Sequence, residues 1–396
     1  ILNEVYAQDM NARFIFIFDE WDFIFHQEFV TEQDKREYLL FLRNLLKDRP
    51  YVLLAYITGI LPIAKYSSGS ELNMFMEYTM ISEEKFSDSF GFTDSEVDQL
   101  YERYRNNTEI AKVSREGLRV WYNGYHTFSG ESVYNPRSVV FALTNNNLAS
   151  YWTSSGPYDE IYYYIEHNIA DVRNDLALMV SGEAVPAKIQ EYAATSMNLT
   201  TRDEIFSAMV VYGFLNCENG KVSIPNKELM DKFELMLRKE SSLGYVYRLA
   251  HESERMLYAT LHGDTETMNE ILEYVHNTEV PLLSYNHETE LSAIVNLIYL
   301  AARDYYRVER EEKAGIGYVD FIFYPYDKTA DCMILELKVD HTPEEAVEQI
   351  IEKKYAMRFE GELGEISQYT GRILAVGIGY SKNTKKHDCK VQIIER

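Results

Sequence analysis

The chain has 396 residues, 46% of them apolar, and 39 Lys+Arg against 63 Asp+Glu give a formal net charge of −24. This length supports two or three domains with real cores, and the acid excess argues against a protein that coats polynucleotide by general electrostatics. Three scattered cysteines (Cys217, Cys332, Cys389) without a CxxC pair argue against a disulfide framework or zinc site and fit a reduced, cytoplasmic protein, while no signal-peptide pattern and no apolar run long enough to span a bilayer point to a membrane.

The first predicted strand, residues 13–18, is a continuous apolar run of the kind buried in a parallel sheet, and it ends in Asp19-Glu20-Trp21-Asp22. An apolar strand delivering Asp-Glu at its carboxyl end is the Walker B pattern of P-loop NTPases, with Asp19 toward Mg²⁺ and Glu20 toward water. The plainer alternative is a strand end solvated by acids. A helix is expected over about 34–47, then a buried strand over 51–57 ending in Thr58-Gly59, where Thr58 resembles a sensor of the γ-phosphate. Nowhere does the chain contain G-x-x-x-x-G-K-[ST], the loop that cradles the phosphates, and only residues 1–12 precede the Walker B strand. The chain therefore reads as a fragment, or as the product of a gene lacking its first segment. ATP is expected as a ligand only where that segment is present.

In the middle, residues 89–97 cap a helix reaching about Arg105, and Trp121-Tyr122-Asn123-Gly124-Tyr125 and Tyr134-Asn135-Pro136 mark turns, the second opening a helix through Leu143. Residues 200–217 read as a helix entering a short strand, and Asn219-Gly220 as a hairpin turn before residues 221–226. That order suggests a winged-helix-like module. Residues 1–285 carry 24 Lys+Arg against 43 Asp+Glu, so its expected role is packing or contact with a protein partner rather than DNA.

Toward the C-terminus a helix is expected over 288–299, running on to about Tyr305. Glu290 has apolar residues on both sides to bury its stem, and Glu288 is the second choice for an acid on this helix. Residues 317–324 and 332–340 read as strands, joined by a turn centred on Lys328. A hairpin folded about Lys328 sets Asp320 opposite Glu336, and alternation puts Glu336 and Lys338 on one face. Two carboxylates and a lysine held so in apolar strands make a site for a divalent metal such as Mg²⁺, or else merely a solvated strand face. Thr342-Pro343-Glu344-Glu345 is a capping box that launches a helix carrying Gln349, Lys353 and Tyr355. A strand over 372–379 is expected to close the sheet, and Lys382, Lys385, Lys386 and Lys390 form a basic stretch, either solvated surface or a substrate contact.

These residues together resemble the bacterial AAA-ATPase-like proteins that end in a PD-(D/E)XK nuclease domain, over essentially the whole chain. The resemblance implies an α/β and α+β multidomain protein. Its parts would be a partial P-loop/AAA-like parallel sheet (1–88), a helical and winged-helix-like middle region (89–284) and a PD-(D/E)XK nuclease-like mixed sheet flanked by helices (285–396). It makes Asp19 and Glu20 the Walker B acids and Thr58 sensor-like, and sets the Tyr-Asn-Gly-Tyr and Tyr-Asn-Pro segments in family signatures. Asp320, Glu336 and Lys338 become the nuclease core, with Glu290 as helix acid and Gln349 in support. Mg²⁺ or Mn²⁺ would sit between Asp320, Glu336 and the carbonyl of Leu337. The implied function is metal-dependent phosphodiester hydrolysis of nucleic acid, DNA ahead of RNA, by a chain unable to hydrolyse ATP alone. Two alternatives stay open: a non-catalytic regulatory protein with remnant sites, and an ATP-controlled nuclease switch in the intact gene product.

Overall fold

The computed structural model describes residues 1–27, 29–60, 72, 74–80, 85–152, 169–189, 199, 201–239, 245–277, 288–314, 317–359 and 369–394. The chain divides into two compact units, residues 1–168 with 184–230, and residues 169–183 with 231–396. The stretch expected as one middle region is thus shared between them, because the helices after residue 231 pack on the C-terminal sheet.

In the first unit, β1 (Phe14–Phe18) pairs in parallel with β2 (Val52–Ile57). Between them runs the helix Glu32–Leu46, longer at its start than expected because Thr31 and Asp34 form a reciprocal capping box. Its residues Leu39 and Leu42 join Trp21 and Phe25 in the local core. The expectation of strands buried on both faces is not met among the described residues. Ile15 and Ile17 are 57% and 74% exposed, beside the exposed partners Leu54 and Tyr56.

The two aromatic signature segments turn out to be joints. Gly124 sits at φ +110°, and a Cβ there would lie 1.9 Å from the carbonyl oxygen of Pro225, so only glycine fits. The Tyr122 hydroxyl donates to the Ala149 carbonyl at 2.9 Å, and the Tyr125 hydroxyl to the Gly213 carbonyl at 2.9 Å. After β3 (Tyr125–His126) and β4 (Ser132–Val133), Asn135 caps the helix Pro136–Asn145 by accepting from the Ser138 amide at 3.1 Å. Tyr134 is held by Asp94 and Arg115, which bond its hydroxyl at 2.5 and 2.8 Å. Further on, β5 (Val185–Pro186), the helix Arg202–Val211, β6 (Asn216–Glu218) and β7 (Lys221–Ser223) form a helix with a three-stranded sheet ordered β5-β7-β6. The Asn219-Gly220 turn has φ +50° and +73°, as a two-residue hairpin with left-handed central residues requires.

The second unit is built on a mixed sheet of β8 (Tyr306–Ala314), β9 (Gly317–Pro325), β10 (Cys332–Val339), β11 (Ile373–Ser381) and β12 (Lys386–Ile394), ordered β12-β11-β10-β9-β8. Only β10 and β11 run parallel, joined through the helix Pro343–Glu352. Two expectations need correction here. The helix Glu288–Ile298 stops early and tightens into a 3₁₀ turn over Leu300–Asp304, freeing Tyr306 to start β8. β11 does not close the sheet but lies inside it, with β12 beyond. Both missed strands are sheet edges, and their sequences YRVEREEKA and KHDCKVQII carry the charges that edges tolerate and interior strands do not.

Residues 332–337 of β10 are all buried, as expected of a strand covered on both faces. On one face, Ile322, Tyr324, Ile334 and Ala375 pack against Val347 and Ile350 of the Pro343–Glu352 helix. The helix can lie so close because a Cβ at Gly377 would stand 2.2 Å from the Pro343 carbonyl oxygen.

Candidate active site

The β9–β10 ladder pairs Ile334 with Ile322 and Leu335 with Phe321. This is the register expected from a fold about Lys328, and its next step sets Glu336 beside Asp320. Alternation then continues the Ile322 and Ile334 face, which carries Glu336 and Lys338 to the side covered by the Pro343–Glu352 helix. Beyond Leu335 the ladder gives way to a side-chain bond: Asp320 Oδ2 accepts from the backbone amide of Leu337 at 2.7 Å.

Glu336 is only 4% exposed. Its Oε1 accepts from Lys338 Nζ at 3.1 Å and also from Gln349 Nε2. Its Oε2 is buried and has no hydrogen-bond partner among the described residues. Burial first, and the negative charge of Asp320 second, push the Glu336 carboxyl up to about 7, against the opposing charge of Lys338. Gln349 Nε2 also lies 3.5 Å from the Tyr355 hydroxyl. A carboxylate that resists ionisation beside another carboxylate, with one oxygen unsatisfied, is relieved by a hard cation or by a proton. The donor set is all oxygen, which suits Mg²⁺ or Mn²⁺. No group of three or more His, Cys, Asp and Glu side chains suited to a metal occurs among the described residues. Mg²⁺ needs only one or two carboxylates when water and phosphate complete its shell, so Asp320, Glu336 and a backbone carbonyl such as that of Leu337 remain a fitting set.

Glu288 and Glu290 belong to the helix Glu288–Ile298, but their side chains lie outside the described residues. Tyr355 is not on the helix with Gln349 as expected. The helix ends at Glu352, Lys353 caps it, Lys354 turns at φ +56°, and Tyr355 opens a 3₁₀ turn that brings its ring back under the sheet. The capping box is also only half formed. Thr342 accepts from the Glu345 amide at 3.3 Å, while the Glu345 carboxylate turns to His341 Nδ1 at 2.7 Å.

In the first unit, Asp19 and Thr58 meet at the ends of their adjacent parallel strands, Thr58 Oγ1 donating to Asp19 Oδ1 at 2.5 Å. Glu20 is exposed and turns at φ +50°. The buried acid of the segment is Asp22, 3% exposed, which accepts from the Ile60 amide at 2.9 Å. The adjoining Trp21, 4% exposed, is the sign in the sequence that this turn folds inward.

Residues 288–385 match the PD-(D/E)XK nuclease superfamily. The stretch includes Asp320, Glu336, Lys338 and Gln349, so the chain carries a C-terminal PD-(D/E)XK nuclease domain, and the mixed five-stranded sheet flanked by helices is consistent with it. The chain is also similar to an uncharacterized protein in the vnfD 5′ region of Azotobacter chroococcum mcd 1, 29% identical over 148 residues. That match covers 36% of this chain and 27% of the relative's length. No solved structure matches the chain. Among the described residues, no helix is long and apolar enough to cross a membrane.

Proposed function

We propose that the second unit is a divalent-metal-dependent nuclease that hydrolyses phosphodiester bonds in nucleic acid, DNA ahead of RNA. The observation that carries this reading is the buried Glu336 carboxylate, held beside Asp320 and next to Lys338, whose Oε2 has no hydrogen-bond partner among the described residues. A bound Mg²⁺ or Mn²⁺ would supply an activated water and offset charge developing on the phosphoryl group. Asp320, Glu336 and the Leu337 carbonyl hold it in this reading. Gln349 donates to Oε1 of Glu336 and so would orient this carboxylate for a bound ion. Lys338 gives up its contact with Oε1 to stabilise the attacking water or a phosphoryl oxygen. Glu290 is the proposed acid from the preceding helix.

For the first unit, the parallel strands and the Asp19–Thr58 bond support an AAA-like remnant in which Asp19 and Glu20 are Walker B acids and Thr58 a sensor. Its ATP chemistry is not expected from this chain, and the helix with its three-stranded sheet is a candidate contact for a protein partner. The test is a Mn²⁺ and Mg²⁺ titration of thermal stability, with cleavage assays on single-stranded and duplex DNA and RNA, for wild type and Glu336→Ala. Stabilisation and cleavage that both vanish in the variant support the reading. Wild type that neither gains stability with metal nor cleaves any of these substrates defeats it.

A further inference from the structure

We infer that the β11–β12 hairpin is the nuclease domain's contact for the substrate's phosphodiester backbone, through Lys385 and Lys386. This rests on the nuclease reading above and extends it from the scissile bond to the path of the strand beyond.

The sheet topology brings the hairpin to the site's own edge. β10 and β11 are parallel, with Lys338 beside Gly379, so the carboxyl ends of both strands leave the sheet on the same side. Lys386 pairs with Ser381, two residues past Gly379. At strand spacings of about 4.8 Å and a rise of about 3.3 Å per residue, the Lys386 backbone lies roughly 12 Å from that of Lys338. A nucleic-acid strand rises about 3.4 Å per nucleotide, so this is a reach of roughly three to four nucleotides. Lys386 also shares the alternating face of Lys390, which stands on the row of Gly377 and Glu336.

The charges on this edge are not equivalent. Lys382 lies 3.8 Å from Asp340, and Lys390 lies 3.6 Å from Glu344, so both are offset by a carboxylate. Lys385 and Lys386 make no ion pair among the described residues. Lys385 sits at φ +55°, in the left-handed region, at the end of the turn that joins β11 to β12. Between the hairpin and the helix start lies a cavity of about 440 Å³, lined by Ser381, Thr384, Lys386, His341 and Thr342, with the carboxylates of Glu273 and Asp388 also on its wall. Hydroxyl and ammonium donors of this kind bind phosphate oxygens without reading bases. Lys385 and Lys386, the lysines of this edge with no ion pair among the described residues, offer the positive charge that a phosphodiester backbone requires.

The test compares the full-length wild type with Lys385→Gln/Lys386→Gln, using Lys382→Gln/Lys390→Gln as the ion-paired control. Binding of fluorescent duplex DNA and duplex RNA is measured with Ca²⁺ across a salt series, alongside Mn²⁺ affinity and cleavage of bis(4-nitrophenyl) phosphate, a substrate too small to reach the hairpin. Loss of two phosphate contacts should make the slope of log K against log salt shallower by about 1.8 for duplex DNA, while Mn²⁺ affinity and small-substrate cleavage stay unchanged. The control should change the slope by less. The duplex whose slope responds is the one the hairpin contacts. If wild type cleaves nucleic acid but the Lys385/Lys386 variant keeps the full slope on both duplexes, the hairpin assignment is wrong and the nuclease reading stands. If wild type neither binds nor cleaves, both fall.

Discussion

Asp320 Oδ2 accepts a hydrogen bond at 2.7 Å from the backbone amide of Leu337, the residue between Glu336 and Lys338. The acid of one strand thereby replaces the backbone ladder that ends at Leu335 and Phe321, and it pins the two carboxylates at one height on the sheet. Asp320→Ala leaves a buried amide without its acceptor, at a cost of about 1–3 kcal/mol. Asp320→Asn keeps an acceptor oxygen and should lose less stability, yet both variants should lose the metal-induced gain. Urea denaturation with and without Mn²⁺ checks this, and equal destabilisation by the two substitutions would contradict it.

Glu336 provides a pH test. Its carboxyl is raised from the ordinary 4.5 to about 7 by burial and by Asp320, so the folded state binds its proton more tightly than the unfolded state does. That contribution is fully present below pH 4.5 and is lost as pH rises through 7, a difference on the order of 3 kcal/mol. Without metal, Glu336→Gln should therefore be more stable than wild type at pH 8 and little different at pH 5. Added Mn²⁺ should reverse the order at pH 8 by stabilising wild type alone. A variant less stable than wild type in EDTA at pH 8 would refute the account.

Lys338→Ala should cut cleavage by about 10²–10³-fold, the size of losing one electrostatic stabiliser, while largely keeping metal affinity. The lysine also opposes the rise in the Glu336 carboxyl, so removing it should move the acid limb of the cleavage profile to higher pH. Undiminished cleavage would remove Lys338 from the chemistry.

Gly377→Ala tests how the site is clamped. The new Cβ would meet the Pro343 carbonyl oxygen at 2.2 Å, whereas at Gly379 the nearest atom, the His341 carbonyl oxygen, is 2.9 Å away. Lifting the helix should cost about 1–3 kcal/mol and draw Gln349 away from Glu336, with Gly379→Ala milder on both counts. Denaturation and cleavage assays read the two effects together, and a neutral Gly377→Ala would show that the helix is not held as described.

ATP turnover by the purified chain is expected to be absent, since its sequence has no G-x-x-x-x-G-K-[ST] loop. Phosphate release that disappears on Asp19→Ala with Glu20→Ala would overturn that expectation.

What depends on neighbours along the chain could be read from residue order. The Asp320–Glu336 register follows from counting about Lys328, because a hairpin's pairing is set by its turn. The cap at Thr342 is equally local, a side chain reaching an amide three residues on, and the Thr31 cap is no less local although a helix start near residue 34 was expected there. Edge strands β8 and β12 stayed hidden because charge is tolerated where one side of a strand has no partner, and their alternation is diluted by it. Whether an acid is buried is not local either. Asp22 rather than Glu20 turned inward, and Glu336 is buried where Gln349 of the Pro343–Glu352 helix reaches its carboxylate. The residue types came from the sequence, but the desolvation that raises the Glu336 carboxyl is a sum over atoms distant in the chain, and only the tertiary structure assembles them.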